Sequence, residues 1–326
     1  MPTNSRTILV VGGAGYIGSH MVLALQQAGY KPIVLDNLSK GHRDAVLGAE
    51  LVVGDMADRA LLADLFNEHR FSAVMHFASY IEVAESVQFP MKYYQNNVAA
   101  TLVLLEVMLQ HKVSDFIFSS TAAVYGEPKY TPIDEAHPLA PINPYGHSKR
   151  MVEEILRDLA VSDGLRYATL RYFNAAGADP SGRLRERHEP ESHLIPLILQ
   201  VAADERSHLN VYGRNYPTVD GTCVRDYVHV ADICEAHLLA LKALQVGHDN
   251  IICNLGTGHG YSVQQVINTA RKVTGHAIPA IDAAPRAGDP AILVADASFA
   301  KKILHWQPTY SDLEMIIQHA WDVCVA

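Results

Sequence analysis

A tyrosine and a lysine four residues apart could together carry out proton transfer. Tyr145 and Lys149 follow Pro144, where a helix would begin, so both side chains should lie on one face of its first turns. A phenol ordinarily has a pKa of about 10, and a neighbouring ammonium group would lower that pKa. Tyr145 could then accept the proton of a substrate hydroxyl group while hydride leaves the same carbon.

A run of hydroxyl side chains ends a strand-like segment upstream of this pair. The apolar segment Phe116–Phe118 leads into two serines and Thr121. Parallel α/β sheets bind ligands at the carboxyl ends of their strands. We therefore expect Thr121 to hydrogen-bond the same reacting oxygen as Tyr145, and we predict that Thr121, Tyr145 and Lys149 are the catalytic residues.

A glycine-rich turn near the N terminus has the spacing of a dinucleotide-binding loop. Gly12–Gly18 separates the β-branched segment Thr7–Val11 from a helical pattern. Glycine lets a pyrophosphate approach the amides at a helix N terminus, where the helix dipole favours anions. Asp36, which ends the next predicted strand, could bind an adenosine ribose and would repel a 2′-phosphate. The sequence therefore predicts NAD, whose positive nicotinamide ring would further lower the pKa of Tyr145.

The first half of the chain alternates strand-like and helix-like segments, which predicts βαβ units in a parallel sheet. The strand-like segments lack a two-residue alternation, as expected for strands that are covered on both faces. The predicted strands are Thr7–Val11, Pro32–Leu35, Leu51–Val53, Ala73–His76, Phe116–Phe118 and Ala168–Leu170, and the predicted helices are Tyr16–Ala28, Asp58–His69, Gln95–His111 and Ser148–Val161.

After about Ala175 prolines and glycines become frequent and regular elements become short. Three helical patterns remain, at Ala231–Leu244, Ser262–Val273 and Ser311–Val325. We expect an α/β fold, with a doubly wound parallel sheet in residues 1–175 and a smaller mixed α/β substrate domain in residues 176–326. Whether some segments of the second half return to the first domain stays open.

Composition and charge exclude several classes of protein. The 326 residues are 49% hydrophobic and 19% charged, a balance typical of a compact globular chain. Lys and Arg number 26 against 35 Asp and Glu, and the net charge of −9 argues against nucleic acid or anionic lipid as a partner. No apolar stretch approaches the roughly 18 residues of a membrane span. The four scattered cysteines are typical of a reducing compartment, so we expect a cytoplasmic protein without a membrane partner.

Several motifs spread over nearly the whole chain together resemble one family. They are Gly12–Gly18, Leu35–Asn37, His76–Ala78, Asn96–Val98, Ser119–Gly126, Tyr145–Lys149, Arg171–Asn174, Val224–Tyr227 and Asn254–Gly256. In this combination the chain resembles the extended short-chain dehydrogenase/reductase superfamily, and within it the UDP-galactose 4-epimerase family. The resemblance implies a Rossmann-type domain and a permanently bound NAD. It also implies inversion of UDP-glucose and UDP-galactose at sugar carbon 4 through a 4-keto intermediate.

The resemblance further implies which residues hold the cofactor and the UDP-sugar. The cofactor residues are Gly12, Gly15, Tyr16, Ile17, Gly18, Asp36, Asn37, Asp55, Met56, Phe77, Ala78, Asn97, Ser119, Tyr145, Lys149 and Tyr172. The substrate residues are Thr121, Tyr145, Asn174, Leu194, Asn210, Tyr212, Arg225, Arg286 and Asp289. Arg286 would meet the diphosphate, because a guanidinium group can contact phosphate oxygens in pairs.

Three positions bear on the details of substrate binding. Ile81 stands where many members of the family have a lysine near the cofactor phosphates, and His193 stands where some have an asparagine. Leu293 falls at a position that resembles the size gate of the family, where tyrosine excludes a 2-acetamido group. A leucine there predicts UDP-glucose and UDP-galactose as the main pair, with slow turnover of the N-acetyl pair. Pentose and uronate UDP-sugars stay open.

Other activities of the same superfamily, and one without chemistry, are the alternatives. Sugar-nucleotide dehydratases carry an acid–base pair directly after the strand-end threonine, where this chain has Ala122 and Ala123. Methyl groups cannot shuttle protons, so dehydration is disfavoured, and decarboxylation is disfavoured for a similar reason. A non-catalytic NAD-binding sensor is the alternative of a different class, and the presence of all three predicted catalytic residues argues against it.

Two further expectations concern partners and metals. The helical patterns Gln95–His111 and Ser148–Val161 carry apolar stripes, and the resemblance implies that such helices pair in a homodimer. The segment His188–His193 begins and ends with histidine, but the two are five residues apart and Pro190 would break the helix that this kind of zinc motif requires. We therefore expect no metal site.

Overall fold

Short runs of β-branched and other apolar residues form most of the strands, as their composition favours. In the computed structural model, which describes residues 6–286 and 289–325, the strands are β1 (Thr7–Val11), β2 (Lys31–Asp36), β3 (Glu50–Val53), β4 (Ala73–His76), β5 (Asp115–Thr121), β6 (Arg166–Tyr172), β7 (Asn174–Ala176), β8 (Leu209–Tyr212), β9 (Val224–His229), β10 (Ile251–Leu255), β11 (Gly260–Ser262), β12 (Ala280–Ala283) and β13 (Ile292–Leu293).

The helices follow the amphipathic patterns of the sequence. They are α1 (Tyr16–Gln27), α2 (Arg59–Glu68), α3 (Val83–Gln88), α4 (Pro90–Tyr93), α5 (Thr101–Gln110), α6 (Pro144–Ser162), α7 (Leu194–Ala202), α8 (Val230–Gln245), α9 (Val263–Thr274), α10 (Ser298–Ile303) and α11 (Leu313–Asp322). Among the described residues, no helix combines the length and the apolar character that crossing a bilayer requires.

Seven of the strands form one sheet in the order β10-β6-β5-β4-β1-β2-β3. Strand β1 runs parallel to both of its neighbours, β2 and β4, and the pairs β2–β3 and β4–β5 are parallel as well. The direction of winding reverses between β1 and β4, and doubly wound sheets bind ligands at the carboxyl ends of the strands at such a point. The predicted doubly wound sheet is confirmed.

The hydrophobic core of this sheet explains why its strands lack an alternating pattern. Leu9 of β1, Val74 of β4 and Phe116 of β5 are fully buried, together with Leu104 of α5 and Val152 of α6. Helices therefore cover the strands, and each such side chain contributes about 1.5–3 kcal/mol by leaving water.

Two predicted helices differ from the observed ones at their starts. The pattern predicted over Gln95–His111 begins as a π-helix at Tyr94–Ala100 and becomes α-helical only from Thr101. The helical pattern predicted over Ser148–Val161 is part of a helix that starts at Pro144, the start expected from the Tyr145–Lys149 spacing. The Asn143 side chain caps this helix by accepting a hydrogen bond from the amide of Gly146 at 2.8 Å.

The chain divides into two compact units. The first comprises Met1–Gly126, Leu139–Arg171 and Cys234–Cys253, and the second comprises Glu127–Pro138, Tyr172–Ile233 and Asn254–Ala326.

In the second unit β9 lies between β11, which is antiparallel to it, and β13, which is parallel, and β7 also pairs with β9. Strands β8 and β12 form a separate parallel pair. The core of this unit packs α7, α9 and α11 together through Ile198, Ile267 and Ile316, which are fully buried. The unit is thus a small mixed α/β structure.

Candidate active site

The first turn of α6 is placed by a close approach to the segment that follows β5. A β-carbon at Gly146 would lie 2.6 Å from the carbonyl oxygen of Ala123, so only glycine permits this contact. The approach brings Tyr145 to Thr121, the last residue of β5, and their hydroxyl groups are hydrogen-bonded. Tyr145 and Thr121 are each only 8% exposed. The structure therefore brings together the two hydroxyl groups that the sequence analysis singled out.

The protonation of Tyr145 differs from the sequence-based expectation. Burial raises the pKa of Tyr145 to about 12, and the hydrogen bond with Thr121 lowers it only in part. The expected lowering by Lys149 is not seen, since only burial and the hydrogen bond with Thr121 shift the pKa of Tyr145. Tyr145 is consequently a neutral phenol at neutral pH in this environment, and it needs an added positive charge to become a base.

Lys149 is held rigidly behind the end of β5. Its Nζ donates hydrogen bonds to the carbonyl oxygen of Ser119 at 2.7 Å and to Oγ of Ser79 at 2.8 Å, and it lies 4.8 Å from the centre of the Phe118 ring. Burial lowers the pKa of Lys149 to about 7, although the nearby Glu153 carboxylate acts to raise it. The charge of this amine is therefore sensitive to pH near neutrality.

A buried ion pair braces α6 against the sheet. Glu153 accepts hydrogen bonds from Nε and Nη2 of Arg171 at 3.0 and 2.5 Å, and from Oγ of Ser120 at 2.6 Å. Arg171 also donates to the hydroxyl oxygen of Tyr125 at 3.0 Å. The sequence analysis missed this pair. The signal that could have found it is the spacing of Glu153, four residues beyond Lys149 on the same helix face.

The glycine turn has the geometry that a dinucleotide requires. Gly12 has a φ of +80°, and a β-carbon on it would lie 2.5 Å from the amide nitrogen of Ala78. A β-carbon on Gly18 would lie 2.0 Å from the carbonyl oxygen of Gly12, whereas one on Gly15 would meet only that oxygen, at 3.5 Å. Two glycines thus allow the turn and the helix packing, and the third leaves the start of α1 open to a phosphate.

Amide groups orient Asp36, the last residue of β2, and Asp55, which follows β3. The carboxylate of Asp36 accepts hydrogen bonds from the amides of Ala14 at 2.9 Å and Leu38 at 2.8 Å. Burial raises the pKa of Asp36, and these two hydrogen bonds oppose the rise. The side chain of Asn37 donates to Asp55 at 3.0 Å. A carboxylate oxygen has a second lone pair, so Asp36 can still accept from ribose hydroxyl groups.

Asn97, a predicted cofactor residue, braces the loop after β4. Its side-chain oxygen accepts from the amide of Tyr80 at 2.9 Å, and its side-chain nitrogen donates to the carbonyl oxygen of Tyr80 at 3.0 Å and to Ser148 at 3.1 Å. Asn97 lies in the π-helix, which turns this side chain toward the loop that carries Phe77 and Ala78. Its role in the structure is therefore to position that loop.

The other predicted cofactor residues in the first unit lie at the ends of the same elements. Tyr16, Ile17 and Gly18 open α1, Met56 is buried after β3, and Ser119 lies in β5. The amide of Phe77 donates to the carbonyl oxygen of Val11 at 2.7 Å, which extends the pairing of β4 with β1.

The predicted UDP-sugar residues other than Thr121 and Tyr145 lie in the second unit, and the structure brings four of them together in pairs. Arg225 of β9 forms an ion pair with Asp289. The guanidinium group of Arg286 stacks on the ring of Tyr212 of β8, with 4.2 Å between its carbon and the ring centre. The remaining three are Asn174 in β7, Leu194 at the start of α7 and Asn210 in β8, and the predicted cofactor residue Tyr172, which ends β6, also falls in this unit.

Comparison with known proteins gives this arrangement a family. A model of the NAD dependent epimerase/dehydratase family matches residues 8–256, which include the glycine turn, Thr121, Tyr145 and Lys149. The chain belongs to this family. The resemblance inferred from the motifs is thereby confirmed.

Several members of the family are similar to this chain over nearly its whole length. The UDP-glucose 4-epimerase of Halalkalibacterium halodurans is 50% identical, over 97% of this chain and 94% of that protein. The crystal structure of UDP-glucose 4-epimerase from Brucella ovis in complex with NAD has a TM-score of 0.95 and 46% identity, and covers 97% of each chain. The UDP-Glc/GlcNAc 4-epimerase from Campylobacter jejuni has a TM-score of 0.85 and 44% identity, over 97% of this chain and 98% of that one.

The residues at the strand ends of this NAD dependent epimerase fit NAD, the cofactor that the name of the family gives. The open approach at Gly15 and the oriented carboxylate of Asp36 match a pyrophosphate and a ribose, and they lie at adjacent strand ends of one sheet. At the same edge of the sheet, the carboxyl-terminal part of β5 carries Ser119 and Thr121. The order of these groups along the sheet is the order of groups in an extended dinucleotide.

Proposed function

We propose that this chain is an isomerase that interconverts UDP-glucose and UDP-galactose by inverting carbon 4 of the sugar through a 4-keto intermediate, with NAD as its cofactor. The observation that carries this function is the buried hydroxyl pair of Tyr145 and Thr121 beside Lys149, in a chain that is 50% identical to a UDP-glucose 4-epimerase. The chemistry that NAD supplies when bound is reversible hydride transfer at carbon 4.

The first unit would hold the cofactor and move the proton. The backbone amides after Gly12 would bind the pyrophosphate, Asp36 and Asn37 the adenosine ribose, and Asp55 with Met56 the adenine. Oη of Tyr145 would take the proton of the 4-hydroxyl group and later return it. This transfer needs a positive charge near the phenol, since burial raises the pKa of Tyr145 to about 12 despite the hydrogen bond with Thr121.

Thr121 and Lys149 have separate parts in this step. The hydroxyl group of Thr121 hydrogen-bonds Tyr145 and so holds the phenol in one orientation at the end of β5. Lys149 is fixed by Ser119 and Ser79, and its protonated form would supply one positive charge behind the site. The Glu153–Arg171 pair below keeps α6, and with it both Tyr145 and Lys149, in register with β5.

The second unit would hold the UDP portion and leave the sugar loosely bound. Arg225 and Arg286 supply guanidinium groups that can contact phosphate oxygens in pairs, which a chain of net charge −9 needs in order to attract a diphosphate. Tight binding of the nucleotide with few fixed contacts to the sugar permits the keto sugar to turn over and present its opposite face. In this proposal the first unit binds NAD and the second unit binds the UDP-sugar.

Conversion of UDP-galactose to UDP-glucose by purified protein is the direct test. The epimerase reaction is stopped and the protein removed first, and UDP-glucose in the filtrate is then measured with a dehydrogenase and NAD that oxidise UDP-glucose only. Sustained conversion without added NAD supports both the reaction and a tightly held cofactor. Binding of UDP-galactose without any product would instead identify a non-catalytic sensor and overturn the proposal.

Leu293 supports UDP-glucose and UDP-galactose as the main pair. It lies in β13 directly beside Arg225 in the register with β9, and it is partly exposed. A leucine fills more of a pocket than serine or cysteine and offers no hydrogen bond to an acetamido group. Overpacking costs about 1–3 kcal/mol, or roughly 5- to 150-fold in kcat/KM for the N-acetyl sugars. The alternative is a wider substrate range, such as the UDP-Glc/GlcNAc activity named for the Campylobacter jejuni protein.

Substitution Leu293→Tyr distinguishes these ranges. We expect the variant to retain activity on UDP-galactose and to lose the slow activity on UDP-N-acetylgalactosamine. The measurement is kcat/KM for both sugars in parent and variant. An unchanged ratio between the two sugars would show that Leu293 does not select the substrate.

A homodimer formed through α5 and α6 is the proposed assembly. Leu102 of α5 and Met151 of α6 are 44% and 41% exposed, although both helices carry large apolar side chains elsewhere in the core. Burial of these side chains in a partner copy would remove them from water. Light scattering should give twice the mass of one chain at micromolar concentration, and the mass of a single chain would refute the dimer.

The cytoplasm is the proposed compartment. The four cysteines carry thiols and form no disulfides with one another, and three of them are buried. Such thiols persist where the surroundings are reducing. Fractionation of cells that produce the protein should recover the activity with cytoplasmic enzymes.

A further inference from the structure

The loop before α7 gathers four metal-ligating side chains that the proposed reaction does not use. We call them the loop cluster: Glu186, His188, Glu191 and His193. One ligand atom from each residue lies within 4.8 Å of all the others. The two carboxylate side chains are only 7% and 6% exposed, whereas the two imidazoles are 17% and 38% exposed. The cluster is therefore a largely buried group of two nitrogen and two oxygen donors.

The spacing of these donor atoms matches a tetrahedral metal centre. Nδ1 of His188 lies 3.1 Å from Oε1 of Glu186 and 3.8 Å from Oε2 of Glu191. Nδ1 of His193 lies 2.8 Å from Oε1 of Glu186 and 3.2 Å from Oε1 of Glu191. With metal–ligand distances of about 2.0–2.1 Å, a tetrahedral zinc ion holds its ligand atoms about 3.3–3.4 Å apart. The four separations fall on both sides of this value, so small side-chain rotations would complete the centre.

The surroundings of the cluster favour a bound cation. Two carboxylates buried this close together require positive charge nearby, because desolvation of an unpaired carboxylate is unfavourable. One of them is already oriented, since Oε1 of Glu191 accepts hydrogen bonds from the amides of Ser192 at 2.7 Å and His193 at 2.8 Å. Backbone contacts of this kind fix metal ligands in place.

We propose that the loop cluster binds one divalent transition-metal ion, with zinc as the best match to two imidazoles and two carboxylates in four-coordinate geometry. Four protein ligands leave no open position, so the site would be structural and not catalytic. His193 occupies the N-cap of α7 and its side chain makes no capping hydrogen bond, and Leu194 follows it. The metal would thus fix the loop and the start of α7, where a predicted UDP-sugar residue lies.

The sequence argument against a metal here concerned a helix, and the structure shows a loop. Positions 184–193 form no helix, so Pro190 interrupts no helix here. The five-residue spacing of the histidines therefore does not prevent them from binding one metal ion. The chain folds back on itself, which adds Glu186 as a ligand from outside the segment His188–His193. Tertiary structure therefore supplies the geometry that the helical motif would have supplied.

Metal titration of tag-free, chelator-treated protein tests the proposal. We expect one equivalent of Zn²⁺ to bind and to raise the melting temperature, and one equivalent of Co²⁺ to give the strong visible absorption of a four-coordinate site. His188→Gln and, as a second variant, Glu186→Gln should weaken Zn²⁺ binding about 100-fold or more. The matched control is His248→Gln, an exposed histidine outside the cluster, which should bind zinc like the parent.

The competing source of positive charge is a proton on the histidines. In that case Zn²⁺ would leave the melting temperature of the parent unchanged, and His188→Gln would lower it equally with and without zinc. That result, or equal zinc affinity in the parent and both cluster variants, would overturn the metal site. All of these measurements are independent of epimerase activity, so they stand whether or not the proposed reaction is correct.

Discussion

The proposed proton-transfer residues of the first unit and the proposed UDP residues of the second are held by different forces. Tyr145, Thr121 and Lys149 are buried and fixed by hydrogen bonds, and desolvation dominates the pKa of both Tyr145 and Lys149. Arg286 stacks on an exposed tyrosine ring, and Arg225 pairs with the partly exposed Asp289. Proton transfer requires a fixed geometry and a suitable pKa, whereas diphosphate binding requires cationic groups that a ligand can reach.

Substitution Tyr145→Phe should have the largest effect on activity. It removes the oxygen that we propose accepts the proton and leaves the second unit unchanged, so turnover should fall about 10²- to 10⁴-fold while UDP binding is retained. The measurements are kcat with UDP-galactose and the Kd of UDP by calorimetry. A variant with parental turnover would show that proton transfer does not depend on Tyr145 of the first unit.

The buried pair below α6 should dominate the stability of the first unit. Glu153→Gln leaves the Arg171 charge buried without its partner, which should lower the free energy of unfolding by about 3–5 kcal/mol. The matched control is Glu154→Gln. Glu154 is the next residue after Glu153, and it forms a half-exposed ion pair with Arg150. That control should change stability by less than about 0.5 kcal/mol. Urea unfolding measures both, and equal effects would contradict the role of burial.

The pH dependence of stability tests how strongly burial acts on Lys149. The pKa of Lys149 falls from 10.5 to about 7 on folding, so the unfolded chain binds the proton more readily. The stability that this group contributes is fully present above pH 10.5 and is lost as the pH falls to about 7. Lys149→Met removes this loss, so relative to the parent it should gain stability on the order of 3 kcal/mol between pH 9.5 and pH 7.

Urea unfolding of both proteins at several pH values between about 7 and 9.5 measures this difference. The control is Lys112→Met, since Lys112 is an exposed lysine of the same unit. A difference between Lys149→Met and its parent that does not vary with pH would show that burial leaves the pKa of Lys149 unchanged.

The smallest effect is expected from the stacked arginine of the second unit. Arg286→Lys keeps the charge but loses the planar group that stacks on Tyr212 and contacts phosphate oxygens in pairs. We expect KM for UDP-galactose to rise about 10-fold, with kcat nearly unchanged, since about 1–1.5 kcal/mol of ground-state binding is lost. Arg214→Lys, in the same unit but paired with Asp282, should leave KM unchanged. A fall in kcat alone would contradict the division of proton transfer and UDP binding between the two units.

Local patterns were enough to predict most of the first unit. The glycine turn, the apolar strands and Asp36 are close in sequence, and their geometry follows from backbone sterics and from strand and helix periodicity. The position of Lys149 four residues after Tyr145 likewise follows from the helix, although its hydrogen-bond partners do not. Ser79 and Ser119 come from other strand ends, which no local pattern identifies.

The sequence by itself determined the parallel sheet and the dinucleotide turn, because their strand, helix and glycine patterns are local, and it singled out Thr121 and Tyr145 as candidates. The contact between these two residues depends on the close approach of α6 to the segment after β5. Only the tertiary structure decided the charge state of Tyr145, the Glu153–Arg171 pair and the turn of Asn97 toward Tyr80. It also decided that Glu186 meets two histidines in a loop where the sequence argued against a metal. The physical reason is that desolvation and ion pairing depend on which groups exclude water from each other, and those groups are distant in the chain.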